Sequence, residues 1–172
     1  QDKPARLVDL GLADPASRFT DASGELVLWS ADSSREVVDS NALLSPDVQW
    51  VALANPRLAP YGTAAAEVLD ELNLSAHLSG KIVQGENIAQ TFQFVESGNA
   101  QLGFVARSQV LSLPETPAGA NWVVPDHLYR PIRQDAVLLN RAIGCQVCSE
   151  FMSFLREDAQ RSLISASGYR VD

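Results

Sequence analysis

The sequence has little of what marks most enzymes. Its 172 residues include two cysteines, one methionine and two histidines. Two cysteines are too few for a disulfide framework, and a single Cys145-Gln146-Val147-Cys148 is too few ligands for structural zinc. His77 and His127 have no partner at metal-ligand spacing and read as solvated surface residues. There is no P-loop, no GxGxxG and no G-x-S-x-G, so the usual signatures of nucleotide binding and of a serine nucleophile are missing. Carboxylates are scattered, and no pair can be placed in a cleft by spacing. The chain reads as a non-enzyme without cofactor or metal site. Basic residues are also scarce: 13 Lys and Arg stand against 21 Asp and Glu, a net charge of −8. That excludes the basic footprint of a nucleic-acid binder. It leaves room for a small anion, because backbone dipoles can hold one inside an acidic protein. No apolar run approaches the about 18 residues of a membrane span. The opening Gln1-Asp2-Lys3-Pro4 lacks the basic-then-apolar pattern of a signal peptide.

What is present is an ordinary globular composition, 46% hydrophobic and 20% charged, enough for one domain or two small lobes. The most informative stretch is Asn55-Pro56-Arg57-Leu58-Ala59-Pro60-Tyr61-Gly62-Thr63. An apolar run over 48–54 leads in, and the helical spacing of Ala65, Val68, Leu69 and Leu72 leads out. Pro60 suits a first helical position, where its missing N–H costs nothing. Behind it, the N–H groups of Tyr61, Gly62 and Thr63 are expected to lack intrahelical acceptors and to form an anion site with the helix dipole. A second strand–turn–helix follows: a short strand over 81–84, Asn87 as N-cap, then Ile88, Phe92 and Val95 at helical spacing. A strand over 102–106 comes next. Two such units in succession indicate an α/β protein with a doubly wound parallel sheet, ligands binding beyond the carboxyl ends of its strands.

Elsewhere, 4–12 reads as a helix, 19–30 as extended with an interruption at Ser23-Gly24, 40–44 as one helical turn, 113–119 as a loop and 121–124 as extended. A last strand is expected over 135–139 and one C-terminal helix over 148–166. Cys145 and Cys148 open that helix without a strand feeding them. They read as structural cysteines or a clip formed in an oxidising compartment, with a thiol redox pair as the alternative.

In order and spacing, several pieces resemble the periplasmic molybdate-binding proteins of molybdate/tungstate ABC importers. They are Pro15-Ala16-Ser17-Arg18-Phe19-Thr20, Gly24-Glu25-Leu26-Val27-Leu28-Trp29-Ser30, Ala54-Asn55-Pro56 with Ala59-Pro60-Tyr61-Gly62, Glu86-Asn87-Ile88-Ala89-Gln90, Leu102-Gly103-Phe104-Val105-Ala106, and Phe151-Met152-Ser153-Phe154-Leu155 with Ser167-Gly168-Tyr169. The resemblance implies a type II periplasmic-binding fold and a periplasmic location. It implies a molybdate or tungstate ligand held by the backbone N–H groups of Tyr61 and Ile88, and a membrane permease as partner. Some members add a tyrosine hydroxyl where this chain has Ala106, so that contact is expected to be absent.

The resemblance also divides the chain into a first-lobe remnant at 1–18, a nearly intact second lobe at 19–131, and a return to the first lobe at 132–172. The family's opening turns, which carry donors of the other cleft wall, would precede Gln1. At roughly 1.5–3 kcal/mol per hydrogen bond to a charged group, losing several predicts weak molybdate binding or none. A first lobe reduced in this way would expose Phe151, Phe154 and Leu155 and favour a homodimer. A lobe that kept the fold and lost the ligand, serving regulation or partner binding, is the alternative reading.

Overall fold

The computed structural model describes residues 2–114 and 119–171. In chain order these form α1 (Asp2–Asp9), β1 (Phe19–Gly24), β2 (Leu26–Ser30), β3 (Val51–Ala54), α2 (Pro60–Glu71), β4 (Ile82–Gly85), α3 (Ile88–Glu96), β5 (Leu102–Ala106), α4 (Arg107–Leu111), β6 (Ala120–Val123), β7 (Ile132–Ala136), α5 (Gln146–Phe154), α6 (Asp158–Ala166) and β8 (Tyr169–Arg170), with short 3-10 turns between them. Among the described residues no helix is long and apolar enough to cross a membrane. The expected loop over 113–119 lies partly outside the described residues, at 115–118.

The chain divides into two compact units, Gln1–Gly24 with Ile132–Asp172 and Glu25–Pro131. The first boundary thus falls six residues later than the expected 18/19 division. The reason is pairing: β1 runs antiparallel to β7, Phe19 opposite Ala136 and Gly24 opposite Ile132, so 19–24 belongs with the C-terminal segment.

The unit Glu25–Pro131 is built on a five-stranded sheet of order β4-β3-β5-β2-β6. Strand β3 pairs in parallel with β4 and with β5, while β2 runs antiparallel to β5 and to β6. Every residue of β2, β3 and β5 is buried, the mark of strands covered on both faces. The connections explain the covering. The β3–α2–β4 crossover steps to one side of β3, and β4–α3–β5 steps back past it. Right-handed crossovers in opposite directions put α2 and α3 on opposite faces, the α/β, doubly wound arrangement expected of a type II periplasmic-binding fold. The sheet is mixed rather than parallel throughout, because β2 runs antiparallel to both of its neighbours. Under α3 lies a cluster of Val27, Trp29, Ala52, Val95, Ala100, Val105 and Val110. Phe92 stacks on Trp29 there, with ring centroids 4.6 Å apart.

In the unit Gln1–Gly24 with Ile132–Asp172, β1 lies between β7 and β8 in a three-stranded antiparallel sheet. Asp135 of β7 accepts from Arg18 Nη2 at 2.6 Å and from Thr20 Oγ1 at 2.9 Å. Helices α5 and α6 contain no buried residue. Phe151 and Phe154 are exposed, while Leu155 is half-buried.

Several expectations need correction. The strand expected over 135–139 is β7, displaced three residues toward the N-terminus by its register with β1; 137–139 instead pairs loosely, Leu138 N–H donating to Ser17 Oγ. The single C-terminal helix is two. Glu157 is extended (φ −70°, ψ 146°) and Asp158 opens α6, so acidic residues that look mid-helical in sequence sit at a new positive helix end. Residues 48–50 are not strand, because the N–H groups of Gln49 and Trp50 are taken by the Gln101 side chain. The extended run over 19–30 is two strands in different sheets, divided at Glu25, and α4 was not anticipated.

Candidate functional site

Strands β3 and β4 end side by side, joined by Asn55 N–H donating to the Gly85 carbonyl at 2.7 Å. From this edge the chain leaves to opposite faces, into α2 and into α3. Such a divergence leaves a crevice beyond the strand ends, the usual ligand position in open α/β sheets.

The turn into α2 is compact. The Asn55 carbonyl accepts from the N–H groups of Leu58 (3.0 Å) and Ala59 (2.9 Å), and Asn55 Oδ1 accepts from Arg57 N–H at 2.9 Å. Thr63 Oγ1 donates back to the Pro56 carbonyl at 2.8 Å. Gly62 is required by space: a Cβ there would stand 2.3 Å from the Ala54 carbonyl oxygen. Pro60 is the first helical residue and half-buried Tyr61 the second, behind an Ala59 cap that supplies no side-chain acceptor. Not all three expected donors are available. Gly62 and Thr63 N–H both donate to the Ala59 carbonyl, at 2.9 and 3.1 Å, because the first turn tightens toward 3-10 geometry.

The turn into α3 is held by side chains. Asn87 caps the helix, Oδ1 accepting from Gln90 N–H at 3.0 Å, and Gln90 Oε1 accepts from Glu86 N–H at 2.7 Å. Buried Thr91 donates its hydroxyl to the Asn87 carbonyl at 2.9 Å. Gly85 permits this packing, since a Cβ would lie 2.7 Å from Thr91 Oγ1. Ile88 is the first helical residue. Among the described residues its N–H and that of Ala89 have no hydrogen-bond acceptor, as first-turn groups of a helix do. Two helix ends at one sheet edge thus aim partial positive charge beyond the strands. Neutral backbone donors of this kind suit a small oxyanion better than a metal or a reacting substrate.

The surrounding charges are few. Arg57 is exposed on the first turn and Glu86 on the second. Arg107, just past β5, is tied to Glu25 at 2.8 Å. Ala106 is buried at the end of β5 and offers no hydroxyl. Cys145 and Cys148 lie in the other unit and are joined as a disulfide. His77 and His127 are exposed. Sequence reasoning missed Thr91 and Gln109, both of which bond to the turn into α3. Thr91 was legible as a hydroxyl one turn after the cap, whereas nothing local marks Gln109.

The family model described as bacterial extracellular solute-binding protein matches residues 1–170. The chain belongs to that family. The chain is 43% identical over 167 residues to the molybdate-binding protein ModA of Rhodobacter capsulatus, covering 97% of this chain and 65% of that protein. It is 42% identical over 167 residues to a molybdate-binding protein ModA of Azotobacter vinelandii, covering 96% and 66%. This family member thus spans just under two thirds of the length of these relatives. Its fold is also similar to the solved Azotobacter vinelandii periplasmic molybdate-binding protein, at a TM-score of 0.88 and 34% identity over 99% of this chain and 75% of that one.

Proposed function

We propose that the chain is the substrate-binding component of a periplasmic ABC importer for molybdate or tungstate, with a membrane permease as partner. The observation that carries this reading is the pair of helix starts at one sheet edge, where β3 and β4 deliver the chain to opposite faces. Similarity to relatives named for molybdate binding supports the choice of ligand. Backbone N–H groups of Tyr61 and Ile88 serve as donors to a tetrahedral oxyanion, with no contribution from a metal ion or a catalytic group. Apolar side chains exposed on α5 support self-association of this chain; light scattering should give a dimer, and a monodisperse monomer refutes that part.

The test is calorimetric titration with molybdate, with sulfate as control, on the wild-type chain and on Ile88→Pro. Proline is tolerated at a first helical position, and Asn87 before it is already extended (φ −148°, ψ 173°). The substitution therefore deletes one donor and keeps the helix. A hydrogen bond to a charged group is worth about 1.5–3 kcal/mol, so affinity should fall roughly 10- to 100-fold. Equal affinity would remove Ile88 from the site, and no heat from the wild-type chain would refute the ligand reading.

A further inference from the structure

We infer that Gln109 is a positioning residue for the donor end of α3, holding the Ile88–Ala89 peptide unit from behind so that first-turn N–H groups meet the ligand at a fixed angle. The inference rests on the oxyanion reading above and deepens it. Gln109 is half-buried and is the third residue of α4. Its one amide joins two other elements. Oε1 accepts from the N–H of Ala106, the last residue of β5, at 3.1 Å. Nε2 donates to the carbonyl of Ile88, the first residue of α3, at 3.3 Å. Starting α4 needs only the first of these bonds. The second reaches 21 residues back along the chain to a different helix.

Peptide geometry makes that bond consequential. The unit is planar and trans, so the Ile88 carbonyl and the Ala89 N–H point in opposite directions on one rigid plate. A donor on the carbonyl fixes the plate and polarises the N–H on its far side. The preceding plate, which carries the Ile88 N–H, is gripped in the same way by Thr91 Oγ1 on the Asn87 carbonyl. Thr91 acts within its own helix, as a threonine at that spacing commonly does. Gln109 acts from outside and ties the helix start to β5. The role calls for an acceptor and a donor on one short fork, which is what a carboxamide supplies. Glutamate matches the shape but, when ionised, can only accept.

The experiment compares wild type, Gln109→Met and Gln109→Glu by molybdate titration at neutral pH and by amide NMR of the ligand-free chains. Gln109→Met should weaken binding roughly five- to tenfold, the size of one net hydrogen bond, and move the amide resonances of both Ala89 and Ala106. Gln109→Glu should weaken it further, because it also adds negative charge beside an anion site, and should move Ala89 while leaving Ala106 near its wild-type position. A role confined to starting α4 would show the reverse: Ala106 moving in Gln109→Met, Ala89 still in both variants. If Gln109→Met fails to fold, Gln109→Glu keeps the volume and the Ala106 bond and carries the test. Wild-type affinity in the folded variants overturns the inference and leaves the oxyanion reading standing. A wild-type chain that gives no heat overturns both.

Discussion

The two units make opposite use of similar sequence patterns. In Glu25–Pro131, apolar strands and amphipathic helices close on each other: Leu26, Leu28, Phe104 and Val105 are wholly buried, and Gly103 lets Val95 of α3 sit against β5. In the other unit, α5 and α6 carry comparable apolar spacing, yet Phe151 is 57% and Leu163 66% exposed. An amphipathic stripe states what a helix could bury. Whether it does so depends on a facing sheet, and three strands with few buried residues provide little of one. The candidate donors all sit on the well-packed unit, where rigid strand ends can fix N–H directions.

The sharpest way to break this contrast is at the join between β3 and α2. Gly62→Val would drive a side chain into the Ala54 carbonyl, so the helix start must move. The expected outcome is loss of several kcal/mol in urea unfolding together with loss of molybdate binding. Next, Phe104→Ala in the buried sheet should cost about 3–5 kcal/mol by denaturant titration. Phe151→Ala should cost far less within one chain and act mainly on the proposed dimer, read as a shift toward monomer by light scattering. Equal costs with an unchanged assembly would mean that Phe151 packs within its own chain.

Reducing the Cys145–Cys148 bridge should cost about 2 kcal/mol, since the closed loop is short, and hydrogen exchange should place the effect in α5 and leave α2 and α3 untouched. The smallest effect concerns a surface pair in the well-packed unit. Arg35, bonded to Asp47 at 2.6 Å, together with the Ser45 hydroxyl, holds the Asp47 carboxyl down at about 2. A carboxyl depressed in the folded state contributes stability above its ordinary range of about 4, and that contribution is lost as pH falls through about 2. An NMR titration of Arg35→Gln should show Asp47 returning toward the ordinary value.

Much of the site's scaffold was legible. Pro60 at a helix start, Asn87 as a cap and two apolar runs ending in turns each act through neighbours in sequence, and those elements stand where spacing put them. The misplaced pieces share a different cause. The true start of β3 depends on Gln101 capturing two N–H groups about fifty residues away. The position of β7 depends on its register with β1, and the assignment of 19–24 to the first unit depends on the same pairing. Donor number in the α2 turn hinged on a carbonyl shared between Gly62 and Thr63, a matter of a few tenths of an ångström that no pattern carries.

By itself the sequence determined the alternation of strand and helix, the two turn chemistries at 55–63 and 85–91, and the acidic charge balance. These rest on local sterics, capping and hydropathy, which operate over a few residues. Tertiary structure alone decided which strands pair, that β3 and β4 deliver their chains to opposite faces, and that one glutamine of α4 holds the first turn of α3. Those outcomes depend on hydrogen bonds between groups far apart in the chain, whose directions are set only when the sheet has formed.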